Sequence, residues 1–332
     1  MNQIIVYETC RSGHRQTYAD ICRALLNAEP YFGSIRSSFV ELCKVPYLIC
    51  SSCDEFLGKF LLLSLARMLL NRRTVGIAIR AEGCLENTGL RNIGKRLVYR
   101  IFFIIPRTKI YSILPFFVEP RLAKIVKDWI YDPQFWDLPY LGIKPQMGSI
   151  PHELSSLESI ASGRKIIVSL GTQNLIKGSE YFCRLYISSS ELAKVALFVL
   201  VGNCSALSDD LISEFLKAGG IVVDRHLSDE ELISTYMVAD LIWCCYHPLY
   251  NQSSGIFGRA FQLKVNVIVR TGSYLHCLQK QLYSREGLSL CFMDLKSDAL
   301  ILEKFSKGKA PQVRVLELNA DRCENSVFGF LA

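Results

Sequence analysis

Residues 4–7 form a short apolar run. A polar loop holding Gly13 follows, and then apolar positions recur three and four apart over residues 15–26. A short apolar run bounded by polar residues reads as a buried strand and a 3.6-residue period as an amphipathic helix, so the chain is expected to open strand, loop, helix. The same reading predicts strands over 45–49, 75–79 and 109–114, with helices over 55–70 and 91–103 between them. Such alternation implies a parallel sheet, since each helix returns the chain to the edge it left.

From Asp128 to Pro151 four prolines interleave with aromatics and glycines, which breaks both periods and marks a linker. Beyond it strands are predicted over 165–170, 195–201, 220–223, 241–244 and 265–269, again alternating with helices. Ser208 precedes one helical pattern, Ser228 and Glu231 have the spacing of a capping box, and Gly219 and Gly220 end a helix. The expected architecture is α/β: two Rossmann-like, doubly wound parallel-sheet domains facing a cleft, over 1–140 and 150–305, with 306–332 packing back on the first.

A chain of 332 residues is long enough for two such cores. Half of it is hydrophobic and only 21% charged, which excludes disorder. The start MNQIIVYETC lacks a basic leader, and the longest apolar stretches, 56–70 and 98–105, are interrupted by Lys59, Arg67 and Arg100, short of the ~20 residues a spanning helix needs. A cytoplasmic protein is expected. The 13 cysteines lie mostly in apolar runs, and their odd number argues against a full disulfide framework. Cys50 and Cys53 have the spacing of half a metal or redox site but no second pair, so they are read as structural and no metal is expected.

Ligands of doubly wound sheets bind beyond the carboxyl ends of the strands. After the first strand of the second half runs a polar loop from Gly171 and Thr172 to Lys177-Gly178, able to offer backbone N–H groups and a cation to a diphosphate. Gly202-Asn203 ends the second strand and permits close approach of a planar group; Arg225, His226 and Leu227 follow the third and would meet a base. The fourth loop, with Tyr250 and Asn251, runs into Ser253, Ser254 and Gly255 at the start of a helix, a favourable place for an anion.

On these segments the second half resembles the GT-B glycosyltransferases, especially the large retaining family 4 group. IIVSLGTQNLIKG is similar to that group's strand-loop-KG segment, LSDEELISTYMVADLIW to its helix-plus-AD segment, and YNQSSGIFGRAFQLKVNVIV to the element that carries its paired glutamates. The likeness covers about a third of the chain. It implies a nucleotide-diphosphate sugar as donor substrate, no further cofactor, and diphosphate contacts from Gly171, Lys177 and residues 253–255. Asn251 and Arg259 stand where the two glutamates would be, and Thr172 stands where a donor-phosphate arginine is usual, so the stereochemical outcome stays open.

A general base should come from the first domain. His14, beyond the first strand, and Glu82, after VGIAI, are the candidates; Gly13 and Arg80 are the acceptor-side candidates. Arg91, Lys95, Arg96, Arg100, Arg107 and Lys109 surround bulky apolar residues, as in segments that lie against anionic lipid, which fits a polyprenyl-linked glycan acceptor and a peripheral position on the inner leaflet. The net charge of +7 is compatible with lipid or nucleic acid, and no nucleic-acid motif is present. Two alternatives stay open, a nucleotide-sugar 2-epimerase and a non-catalytic GT-B partner subunit. A dehydrogenase lacks its G-x-G-x-x-G.

Overall fold

The computed structural model describes residues 4–11, 14–85, 89–143, 150–283, 287–292, 294–308, 321–323, 327 and 330. The chain divides into two compact units, Met1–Ile143 with Leu318–Ala332, and Lys144–Glu317.

In the first unit β1 (Ile4–Glu8), α1 (His14–Leu26), β2 (Glu29–Phe32), α2 (Phe39–Lys44), β3 (Tyr47–Cys50), α3 (Leu57–Leu69), β4 (Arg73–Ala78), α4 (Leu90–Ile101), β5 (Thr108–Ser112) and β6 (Asp128–Trp129) follow in order. The strands form one parallel sheet, β2-β1-β3-β4-β5-β6. The chain leaves β1 to one side for β2 and returns to its other side for β3, so the order reverses between β1 and β3. Arg67, fully buried on α3, donates to the carbonyls of Val45 and Arg73 at 2.9 and 2.7 Å and to Thr74 Oγ1 at 2.8 Å, which satisfies its donors and binds α3 to the start of β4.

The second unit holds α5 (Leu157–Ala161), β7 (Lys165–Leu170), α6 (Ser179–Ile187), α7 (Ser190–Val195), β8 (Ala196–Val201), α8 (Asp209–Lys217), β9 (Ile221–Val223), α9 (Asp229–Val238), β10 (Leu241–Cys244), α10 (Gly255–Gln262), β11 (Asn266–Arg270), α11 (Tyr274–Leu282), β12 (Leu288–Leu290) and α12 (Leu295–Lys307). Its parallel sheet is ordered β12-β11-β10-β7-β8-β9. The reversal falls between β7 and β10. β7 and β8 carry almost wholly buried side chains, as strands covered by helices on both faces must. Phe182, Tyr186, Phe198, Phe215 and Trp243 stack through this core with neighbouring ring centroids 4.6–6.1 Å apart.

The expected helix signals form as written. Ser208 caps α8, Ser228 and Glu231 make a reciprocal capping box on α9, and Gly219 at φ +92° closes α8 while Gly220 N donates to Phe215 O. Three strands were missed: β2, the two-residue β6 inside the proline-rich segment, and β12. They are short, and β2, β6 and β12 all lie at sheet edges, where one flank is unpaired and the apolar signal is weak. Val195, expected in a strand, ends α7 instead. All 13 cysteines carry free thiols, and Cys50 and Cys53 are fully buried, with burial raising both thiol pKa values.

Candidate functional site

The reversal between β7 and β10 places two loops side by side at the carboxyl edge of the second sheet. The first is shaped by Gln173, a residue the sequence reading passed over. Its buried amide lies within hydrogen-bond distance of Ser169 O, Gly171 O and Val201 O (3.1, 3.2 and 3.0 Å), while its oxygen accepts from Ser169 Oγ and Ser179 Oγ (2.9 and 2.7 Å). Gly171 (φ +92°) and Gly202 (φ +118°) meet where β7 and β8 end; a Cβ on Gly202 would stand 2.1 Å from Gly171 O. Thr172 and Asn203 are exposed at this crest, and Asn203 Oδ1 accepts from its own neighbour Ser205.

Asn174 Oδ1 accepts from Lys177 N at 2.9 Å and turns the chain so that Gly178, at φ +70°, packs on the Cys245 carbonyl with no room for a side chain. Lys177 is thereby carried over the loop that follows β10. Its Nζ stands 4.3 Å from the centroids of both Tyr246 and Tyr250 and donates to Tyr250 Oη at 3.1 Å. Tyr250 Oη in turn donates to Ser253 O at 3.2 Å, and the Tyr246 and Ser254 hydroxyls pair at 3.0 Å. The cation is thus held at the start of α10 by two aromatic faces and a phenol. Among the described residues no carboxylate lies within ion-pair distance of it.

Ser254, rather than Ser253, is the N-cap of α10; its Oγ accepts from Phe257 N. The N–H groups of Gly255 and Ile256 have no hydrogen-bond partner among the described residues. Arg270, at the end of β11 and also absent from the sequence reading, donates through Nε to Tyr246 O at 3.1 Å, which brings a second cation to the same loop. Lone polar residues at strand ends were the only signal for it. A lysine stands at a helix start that offers two N–H groups, and Arg270 is bonded to the backbone of the same loop, so the arrangement suits an anion.

The remaining candidates fall differently. Asn251 accepts from Tyr274 N at 2.9 Å and so fixes the start of α11. Arg225 is gripped by Glu153 (2.8 and 2.9 Å) and Glu231 (2.7 and 3.1 Å) and also donates to His226 O, leaving its guanidinium fully occupied. Hydrogen bonding to Arg225 holds both carboxyls at about 2. His226 is exposed and Leu227 half-buried beyond β9, two strands or roughly 10 Å from β7.

In the first unit, His14 opens α1 instead of standing in the preceding loop, and its side chain and Gly13 lie outside the described residues. Glu82 is buried in a helical turn over Ala81–Cys84, not solvated, and Arg80 precedes that turn. The carboxylate at the β1–β3 reversal is Glu8, which the sequence reading did not single out: fully buried, it accepts from Ser51 Oγ and from Ser52 Oγ (2.8 Å), and burial raises its pKa. Asp54 accepts from the N–H groups of Ile79 and Arg80 and so holds the end of β4. Among the described residues no three His, Cys, Asp or Glu side chains are grouped to hold a metal ion.

Two six-stranded parallel sheets, the second reversing between β7 and β10, recur together in solved structures. The chain has the GT-B fold. No family model and no curated protein matches it by sequence. Among solved structures of this fold, it is similar to Anabaena HepE in complex with UDP and glucose (TM-score 0.60, 11% identity, 92% of this chain and 90% of that one). It is also similar to sucrose-phosphate synthase from Thermosynechococcus elongatus (0.57, 12%, 92% and 90%) and to a putative UDP-N-acetylglucosamine 2-epimerase from Listeria monocytogenes (0.55, 10%, 94% and 92%). The GT-B fold therefore spans nearly the whole chain, including the first half, where sequence likeness is weakest.

Proposed function

We propose that the chain transfers a hexosyl unit from a nucleoside-diphosphate sugar to a glycan or lipid-linked glycan in surface polysaccharide assembly. The observation that carries this reading is Lys177, held over Tyr246 and Tyr250 beside the N–H groups of Gly255 and Ile256, at the sheet reversal where this fold class receives ligands. The donor's diphosphate sits there. Charge building on it as the glycosidic bond breaks is met by a fixed cation and a helix N-terminus, with no reorganisation at the moment of reaction. From that point the nucleoside runs across Gly202 toward His226 and Leu227. HepE, of the same fold, was crystallised with UDP and glucose, which supports a nucleotide-sugar donor here.

On this reading the first unit takes the acceptor, with Glu82 and His14 as candidate bases and Gly13 and Arg80 nearby in sequence. The likeness to an epimerase supports a second reading, inversion at C2 with water taking the place of the nucleoside diphosphate at the anomeric carbon, instead of transfer. Incubation with a panel of nucleotide sugars, with and without glycan acceptors, tests both. Donor consumption with a new glycosidic bond is expected. Release of nucleoside diphosphate and free epimerised sugar would favour the epimerase, and failure to bind or consume any donor would leave only a non-catalytic partner subunit.

A further inference from the structure

The basic helix α4 is only partly buried. Tyr99 on α4 and Phe102 and Ile105 just beyond it face the core, whereas Leu90, Ile93, Leu97 and Ile101 are exposed, Leu90 by 88% and Leu97 by 54%. At 3.6 residues per turn these four fall within roughly 80° of arc, a continuous apolar stripe. Ile104, 79% exposed, extends it past the last turn. Single exposed apolar residues are ordinary, whereas these five are aligned. Neighbouring α3, in ring contact through Phe60 and Phe102, adds exposed Leu62 and Leu69.

The charges are one-sided. Residues 89–118 contain Arg91, Lys95, Arg96, Arg100, Arg107 and Lys109 and no aspartate or glutamate, and residues 56–80 contain no carboxylate either. Arg91 and Arg100 flank the stripe on its two sides; both, and Arg107, are exposed and form no ion pair with a described residue. A second copy of the chain is poorly suited to this face, because a two-fold contact would set the same cations against one another. Among the described residues no helix is long and apolar enough to cross a membrane.

We infer that α4 and the turn after it form a docking face for an anionic lipid surface, with Leu90, Ile93, Leu97, Ile101 and Ile104 entering the acyl boundary and Arg91, Arg100 and Arg107 meeting phosphate headgroups. This does not depend on the transferase reading. The full chain is to be sedimented with phosphatidylcholine vesicles made with and without phosphatidylglycerol. Binding is expected only to the anionic vesicles and is weakened by salt. R91Q with R100Q should lower it roughly 25-fold, about fivefold per cation. L97E with I104E should abolish it, while K217Q with K296Q, on the second unit, should leave it unchanged; circular dichroism checks that each variant folds. Lack of binding to anionic vesicles, equal binding to neutral ones, equal loss in the control pair, or a dimer that L97E with I104E converts to monomer would each overturn the inference.

Discussion

Exchanging Lys177 for methionine keeps most of the apolar stem that lies on Tyr246 and Tyr250 and removes the charge. If Nζ meets the donor diphosphate, the loss is one charge-assisted hydrogen bond, about 1.5–3 kcal/mol. At 1.4 kcal/mol per tenfold, nucleoside-diphosphate affinity should fall about 10- to 150-fold. The affected contact is with phosphate, so the bare nucleoside should bind the variant as it binds the parent, and K177R should recover part of the difference. Titration calorimetry over a panel of nucleosides and their diphosphates reads this directly. Two cation–π contacts also disappear, each about 0.5–2 kcal/mol, so melting curves must accompany the titrations to show that the variant is folded at the assay temperature. Diphosphate affinity unchanged in K177M, or an equal loss for the bare nucleoside, would refute the placement of the diphosphate at this lysine.

Two further predictions rest on the loops beside it. Gly202→Ala sets a Cβ 2.1 Å from Gly171 O at a φ of +118°, so in place of the usual slight gain from removing a glycine it should destabilise the second unit by about 3–5 kcal/mol; a thermal midpoint equal to or above the parent's would contradict this. The Glu153–Arg225–Glu231 clasp should be pH-dependent: the two carboxyls titrate at about 2 in the folded chain and near 4.3 in an unfolded one. Its contribution is therefore complete above about pH 5 and fades as the pH falls toward 2, so the difference in melting temperature between parent and R225Q should shrink over that interval, and a difference independent of pH would count against it.

Whatever depends on neighbours along the chain is legible in the residues themselves. The long apolar runs of β7, β8 and β10 and the caps of α8 and α9 are local in cause, since a strand buried on both faces must be apolar throughout and a helix must satisfy its first N–H groups from nearby side chains. The alternation of these elements was enough to expect parallel sheets, and the family resemblance of the KG, AD and serine segments implied the GT-B fold. Which side chains are committed is settled by folding. Arg225 looks like a free ligand group until Glu153, 72 residues earlier, closes on it, and Asn251 until it takes the N–H of Tyr274. Lys177 acquires its setting from Tyr250, 73 residues later, and Arg270 is drawn to the site by the Tyr246 carbonyl. The Lys177–Tyr250 pairing arises because β7 and β10 lie side by side where the strand order reverses, bringing together loops far apart in the chain; no periodicity or spacing along the sequence encodes that meeting.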